Sequence, residues 1–140
     1  MINILKHVIV ASALLCYSFM TYAQATITAG EVVDQIKANV TVPWSEETVD
    51  TFKSGSVDTE ITGIATTFLA TLDVLKEAHG KGLNMVITHE PTFYNHLDEK
   101  EWLGEDPVLK AKEDLLEKNN IVIWRFHDYW HTVRPDGVLQ

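Results

Sequence analysis

From residue 26 onward the chain alternates short, β-branched apolar runs with stretches whose apolar residues recur every three or four positions. Thr28 with Glu31 three residues later forms a capping box, and Val32, Val33, Ile36 and Val40 continue at helical spacing until Pro43 stops the helix. Residues 48–53 read as a strand that leaves through Ser54-Gly55-Ser56. Residues 60–66 read as a second strand, with Gly63 permitting close backbone approach. Phe68, Leu69, Leu72, Leu75 and Ala78 then line one face of a helix over 68–79, which Gly80 and Gly82 terminate. A strand over 83–88 follows, and a loop from Pro91 to about Glu105. Asp106-Pro107 is an acidic N-cap with proline at the first helical position, and Val108, Leu109, Lys112, Leu115 and Leu116 supply that helix's face. Asn119-Asn120 ends it before a last strand over 121–126.

The order from residue 60 is β-α-β-α-β. Each crossover is long enough for a parallel, right-handed connection. Met85-Val86-Ile87 and Ile121-Val122-Ile123 are continuously apolar, as strands covered on both faces are. The pattern predicts an α/β fold: a sheet with a parallel β-α-β-α-β core flanked by helices.

The first residues carry a different pattern. Lys6 precedes an apolar run from Val8 to Met20, and small residues follow at Ala23 and Ala25. That is the layout of a secretory signal peptide, too short for a spanning helix of roughly 20 residues, with cleavage expected after Ala23. The expected organisation is therefore a leader over 1–23 and one α/β lobe over 24–140, periplasmic or secreted, with no stable membrane anchor after cleavage. The only cysteine, Cys16, departs with the leader, so neither a disulfide framework nor a thiolate metal site is expected. The formal net charge is −9, and removal of the leader takes one lysine and no acid, which leaves the rest more acidic still. Such a balance disfavours nucleic acid and anionic membranes as partners. There is no glycine-rich phosphate loop and no nucleophile elbow.

Candidate chemistry lies in two clusters just after apolar strands. His89-Glu90 follows the strand over 83–88, and His127-Asp128-Tyr129-Trp130-His131 follows the strand over 121–126. In a parallel sheet both open at the carboxyl edge, where α/β folds place their ligands. His127 and His131 are four apart, so a helical turn puts both imidazoles on one face. His89, Glu90, His127 and His131 are the expected metal ligands. Asp128 is either a further donor or the partner that fixes a histidine tautomer. The donors suit one or two divalent ions, with Zn, Fe, Mn and Ni all open. His96, in the loop, either joins this site or is an exposed loop residue.

Asp50-Thr51-Phe52-Lys53-Ser54-Gly55, Ile61-Thr62-Gly63-Ile64-Ala65-Thr66-Thr67 and Asn84 through Tyr94, with the strand-His-x-Pro-x-Phe-Tyr element, carry a resemblance. Over roughly residues 30–137 the chain resembles the amino-terminal half of the Nif-three-like proteins, also called GTP cyclohydrolase I type 2 homologues or dinuclear-metal-centre hexameric proteins. In that family the first element carries two adjacent histidines, each on one of two metals; here those positions are His89 and Glu90. The later element is His-x-x-x-Asp in the family, and here it is His127-x-x-x-His131. The resemblance implies a closing His and Glu from a carboxyl-terminal half, so the lobe is expected to be incomplete at its carboxyl end. It also implies self-association into a toroidal hexamer.

Three functions follow. One is a metal-dependent hydrolase of a small molecule, with Glu90 and His127 catalytic: Glu90 as general base, His127 as ligand or proton shuttle. Another is a non-catalytic metal-binding or assembly protein. The third is a structural lobe whose donors never close on a metal.

Overall fold

The computed structural model describes residues 26–138, so the expected leader and Cys16 lie outside the described residues. In chain order the elements are helix α1 (Ala29–Asn39), strands β1 (Phe52–Ser54) and β2 (Ile64–Thr67), helix α2 (Leu72–Gly80), strand β3 (Met85–Thr88), a 3-10 turn (Glu101–Leu103), helix α3 (Pro107–Lys118), strand β4 (Val122–Arg125) and the short helix α4 (Asp128–Thr132). The strands form one sheet in the order β1-β4-β3-β2. β2, β3 and β4 are parallel, as the β-α-β-α-β pattern predicts, and β1 closes one edge antiparallel to β4.

Alternation along the central strands explains the layering. Met85, Val122 and Trp124 face α1, where they bury Ala29, Val32 and Val33. Val86 and Ile123 face the opposite way, onto Leu75 and Ala78 of α2 and Leu109 and Leu116 of α3. Because both faces are covered, strands without polar alternation are stable here. The helix caps follow the sequence closely. Thr28 accepts from Glu31 N at 3.2 Å while the Glu31 carboxylate accepts from Thr28 N at 2.8 Å. The Asp106 carboxylate accepts from Val108 N and Leu109 N at 2.9 and 2.8 Å.

Several boundaries move, each for a tertiary reason. The helix expected from Phe68 starts at Leu72, capped by Thr71. The carbonyl of Phe68 instead accepts from Glu90 N at 2.8 Å, which ties the exit of β2 to the exit of β3. The strand expected over 48–53 is confined to Phe52–Ser54. Its first residues turn away to contact α4, through Thr48 Oγ1 and Val49 N on the Asp128 carboxylate. The strand expected over 60–66 shortens to Ile64–Thr67, and Glu60 pairs with Thr28 in an isolated bridge outside the sheet.

Register positions the site. Thr88 is opposite Arg125, so β3 and β4 end level, and Phe126 N donates to Thr88 O at 2.9 Å just beyond. His89 and His127 therefore leave neighbouring strands at the same edge.

Candidate metal centre

His89, His127 and His131 converge at that edge. Their ring centroids are 4.6 Å (His89–His127), 5.0 Å (His89–His131) and 4.9 Å (His127–His131) apart, nearly an equilateral triangle. One ligand nitrogen from each lies within 4.8 Å of the others, and all three rings are only partly buried. The turn of α4 expected after β4 brings His127 and His131 onto one face, as their four-residue spacing requires.

The hydrogen bonds decide which nitrogens are free. His89 Nδ1 is 3.2 Å from the Phe126 carbonyl oxygen, His127 Nδ1 is 3.1 Å from Asp128 Oδ1, and His131 Nδ1 is 3.1 Å from Asp136 Oδ2. A carbonyl and two carboxylates only accept, so each Nδ1 carries its proton. In the neutral ring each Nε2 then presents a lone pair. This is the arrangement by which metal-binding histidines are oriented and made more basic. Asp128 takes the tautomer-fixing role that the sequence left open. Burial pushes its pKa up, but the Thr48 hydroxyl, Val49 N–H and His127 outweigh this and hold it below the usual carboxylate value. Burial draws the His89 pKa down, joined by the neighbouring His127 and His131 and opposed by the Phe126 carbonyl and Glu90. A depressed pKa keeps that imidazole neutral, as a ligand must be.

Glu90 is placed differently from the triad. Its side chain is not among the three clustered donors; it lines an adjoining cavity together with His96 and Lys112. The His96 ring meets His127 edge-on at 5.6 Å, so this loop histidine flanks the cluster.

Three residues that build the site escaped the sequence reading. Asp50 is 3 % exposed and its carboxylate accepts from the backbone N–H groups of His127, Asp128 and Tyr129 at 2.6, 3.0 and 3.0 Å. It thereby fixes the start of α4. Arg125, fully buried, donates to His89 O at 3.1 Å and His96 O at 2.6 Å, clamping both loops to β4. A charge inside an otherwise apolar strand was the one local signal of that role. Asp136 reaches His131 because the chain folds back over α4: Gly137 N donates to Trp130 O at 3.0 Å. Gly137 lies so close to the indole that a Cβ there would stand 2.4 Å from Trp130 Cε2.

The fold and the cluster define a class: an α/β lobe carrying a histidine triad at the carboxyl ends of adjacent parallel strands. Residues 28–130 match the family described as Duf34/NIF3 (NGG1p interacting factor 3), and the chain belongs to that family. Among solved structures it is similar to reduced HcgD from Methanocaldococcus jannaschii, with TM-score 0.60 and 21% identity over 75% of this chain and 41% of that one. A hypothetical protein of Staphylococcus aureus matches with TM-score 0.59 and 23% identity over 76% of this chain and 30% of that one. A Bacillus cereus protein related to NIF3 matches with TM-score 0.60 and 19% identity over 76% of this chain and 29% of that one. The chain thus spans less than half the length of each of these structures. No curated protein matches it.

Proposed function

We propose that this chain binds a divalent transition metal through His89, His127 and His131. The observation that carries the reading is that all three imidazoles converge, with one ring nitrogen of each within 4.8 Å of the others, while each Nδ1 is held by an oxygen and each Nε2 is left for an ion. Three imidazoles without an oxygen donor favour Zn, Fe or Ni over Mn. Three protein ligands are also the number that catalytic zinc sites keep, with a further position left open. A bound ion supplies Lewis acidity for the hydrolysis of a small molecule. The chain's own part is to orient the three imidazoles and to offer Glu90, beside the cluster in sequence, as a general base. Export and ring assembly belong to the same proposal, the first resting on the leader-like pattern over 1–23 and the second on family resemblance.

Elemental analysis of the purified full chain tests the centre. About one transition-metal ion per chain is expected, with affinity falling at least tenfold in His131→Ala. Metal-free wild type, or unchanged metal content in a His89→Ala, His131→Ala double variant, would overturn it. Hydrolysis is tested separately with phosphoesters and cyclic amides: Glu90→Gln should retain metal and lose turnover. A metal-loaded wild type that hydrolyses none of them supports a binding or assembly role instead. Fractionation with amino-terminal sequencing tests export, and light scattering tests the hexamer.

A further inference from the structure

The cavity beside the triad, about 700 Å³ in volume, has features that metal binding does not use. It lies between the approach to α2, the loop after β3 and the face of α3. Two of its wall residues are polar and deeply buried. Lys112 is 6% exposed, and among the described residues its Nζ makes one hydrogen bond, to the Thr92 carbonyl at 2.6 Å. An ammonium has three donors, so two make no hydrogen bond, and the Nζ otherwise lies 5.9 and 5.5 Å from the centroids of the Phe93 and Tyr94 rings. Thr92 is 1% exposed, and its hydroxyl has no hydrogen-bond partner among the described residues. A buried polar group left unpaired is unfavourable, and native proteins rarely keep one without a reason. Here the two residues share one wall, with Lys112 Nζ donating to the main-chain carbonyl of Thr92 and the Thr92 hydroxyl left over.

We propose that this cavity binds a small organic acid, its anionic group taken by Lys112 Nζ and the Thr92 hydroxyl and its apolar body lying against Leu69, Leu72 and Val108. Carboxylate and phosphate oxygens are acceptors only and match both unspent donors. The remaining walls are largely hydrocarbon, and Leu69 and Val108 are 47% exposed at its mouth, so an apolar body is sheltered there. Glu90, on the same lining, repels a second anionic end and accepts from a donor on the ligand. Burial draws the Lys112 pKa below the ordinary lysine value against the pull of Asp98, the state of an ammonium that an anion would restore. The cavity also borders the triad. Phe68 lines it and lies 5.1 Å from the His89 ring, and His96 lines it while touching His127. This site goes beyond the metal reading and does not depend on it, because neither Lys112 nor Thr92 is a ligand there.

The probes are benzoate, phenyl phosphate and the neutral isostere benzamide, titrated into the metal-free full chain and followed by NMR. At least one anion should bind tenfold or more tightly than benzamide, and whichever binds better identifies the carboxylate or phosphate source. Lys112→Met should abolish that preference and Thr92→Val should weaken it several-fold. The Thr92→Val variant preserves shape and charge, so it decides the matter even where Lys112→Met fails to fold. Equal binding of benzoate, phenyl phosphate and benzamide, no binding of either anion, or unchanged affinity in Thr92→Val would overturn the site. Failure of the metal centre would leave these titrations untouched.

Discussion

His89 shows how a single residue's surroundings set its chemistry. Its imidazole is partly buried beside two others, and burial, then the charge of His127 and His131, depresses its pKa from the ordinary 6.5. Between the depressed value and 6.5 the unfolded chain binds more protons than the folded one, so stability rises with pH across that window. The contribution is complete above 6.5 and is lost as pH falls through the folded-state value. Urea midpoints of the metal-free protein, measured from about pH 5 to 7.5, should climb with pH, and His89→Gln should flatten the climb. Asp50 makes a second residue-scale case. One carboxylate satisfies three backbone donors at the head of α4, and Asp50→Ala should destabilise the fold by about 1–3 kcal/mol. Metal affinity should fall with it, since α4 carries His131 and His127 is its N-cap; urea unfolding and metal titration on the same variant measure both effects.

At the scale of elements, the caps and apolar stripes of α1 and α3 were legible from neighbouring residues alone. Thr28 with Glu31 and Asp106 with Pro107 act within one turn, so no distant contact competes with them. Phe68 and Leu69 misled because their apolar character suits a helix while the Phe68 carbonyl is drawn to the exit of β3. Thr48 and Asp50 misled similarly: their side chains serve α4, and a strand there would have turned them elsewhere. The β1 edge depends on Gly55, which has φ +77 and passes over β4 so closely that a Cβ would stand 2.9 Å from Val122 Cα. Gly55→Ala should therefore destabilise by about 1–3 kcal/mol, from left-handed strain together with backbone displacement. Thermal and urea denaturation check this, and a neutral substitution would mean that the edge yields easily.

Across the whole molecule, Arg125 joins the sheet to the loops that flank the triad. It is fully buried, holds His89 O and His96 O, and lies 3.7 Å from Asp98, which also pairs with Lys53 at 3.3 Å. Lysine cannot reproduce that fork, so Arg125→Lys should cost roughly 1.5–3 kcal/mol and speed hydrogen exchange in residues 90–98. Unchanged exchange would show that the loop is held by its own contacts. Among the described residues no helix is long and apolar enough to cross a membrane.

The order of strands and helices, the covering of both sheet faces and the edge at which the histidines emerge were all determined by the chain's own periodicity. These signals are local: a cap acts within one turn, and strand alternation within a few residues. Only the tertiary structure decided that His131 stands with His89 and His127 while Glu90 lines the next cavity, and that Asp50, 77 residues before His127, anchors the helix between them. Side-chain direction at a strand's end depends on register and on hydrogen bonds from distant segments, and no window of sequence contains both partners.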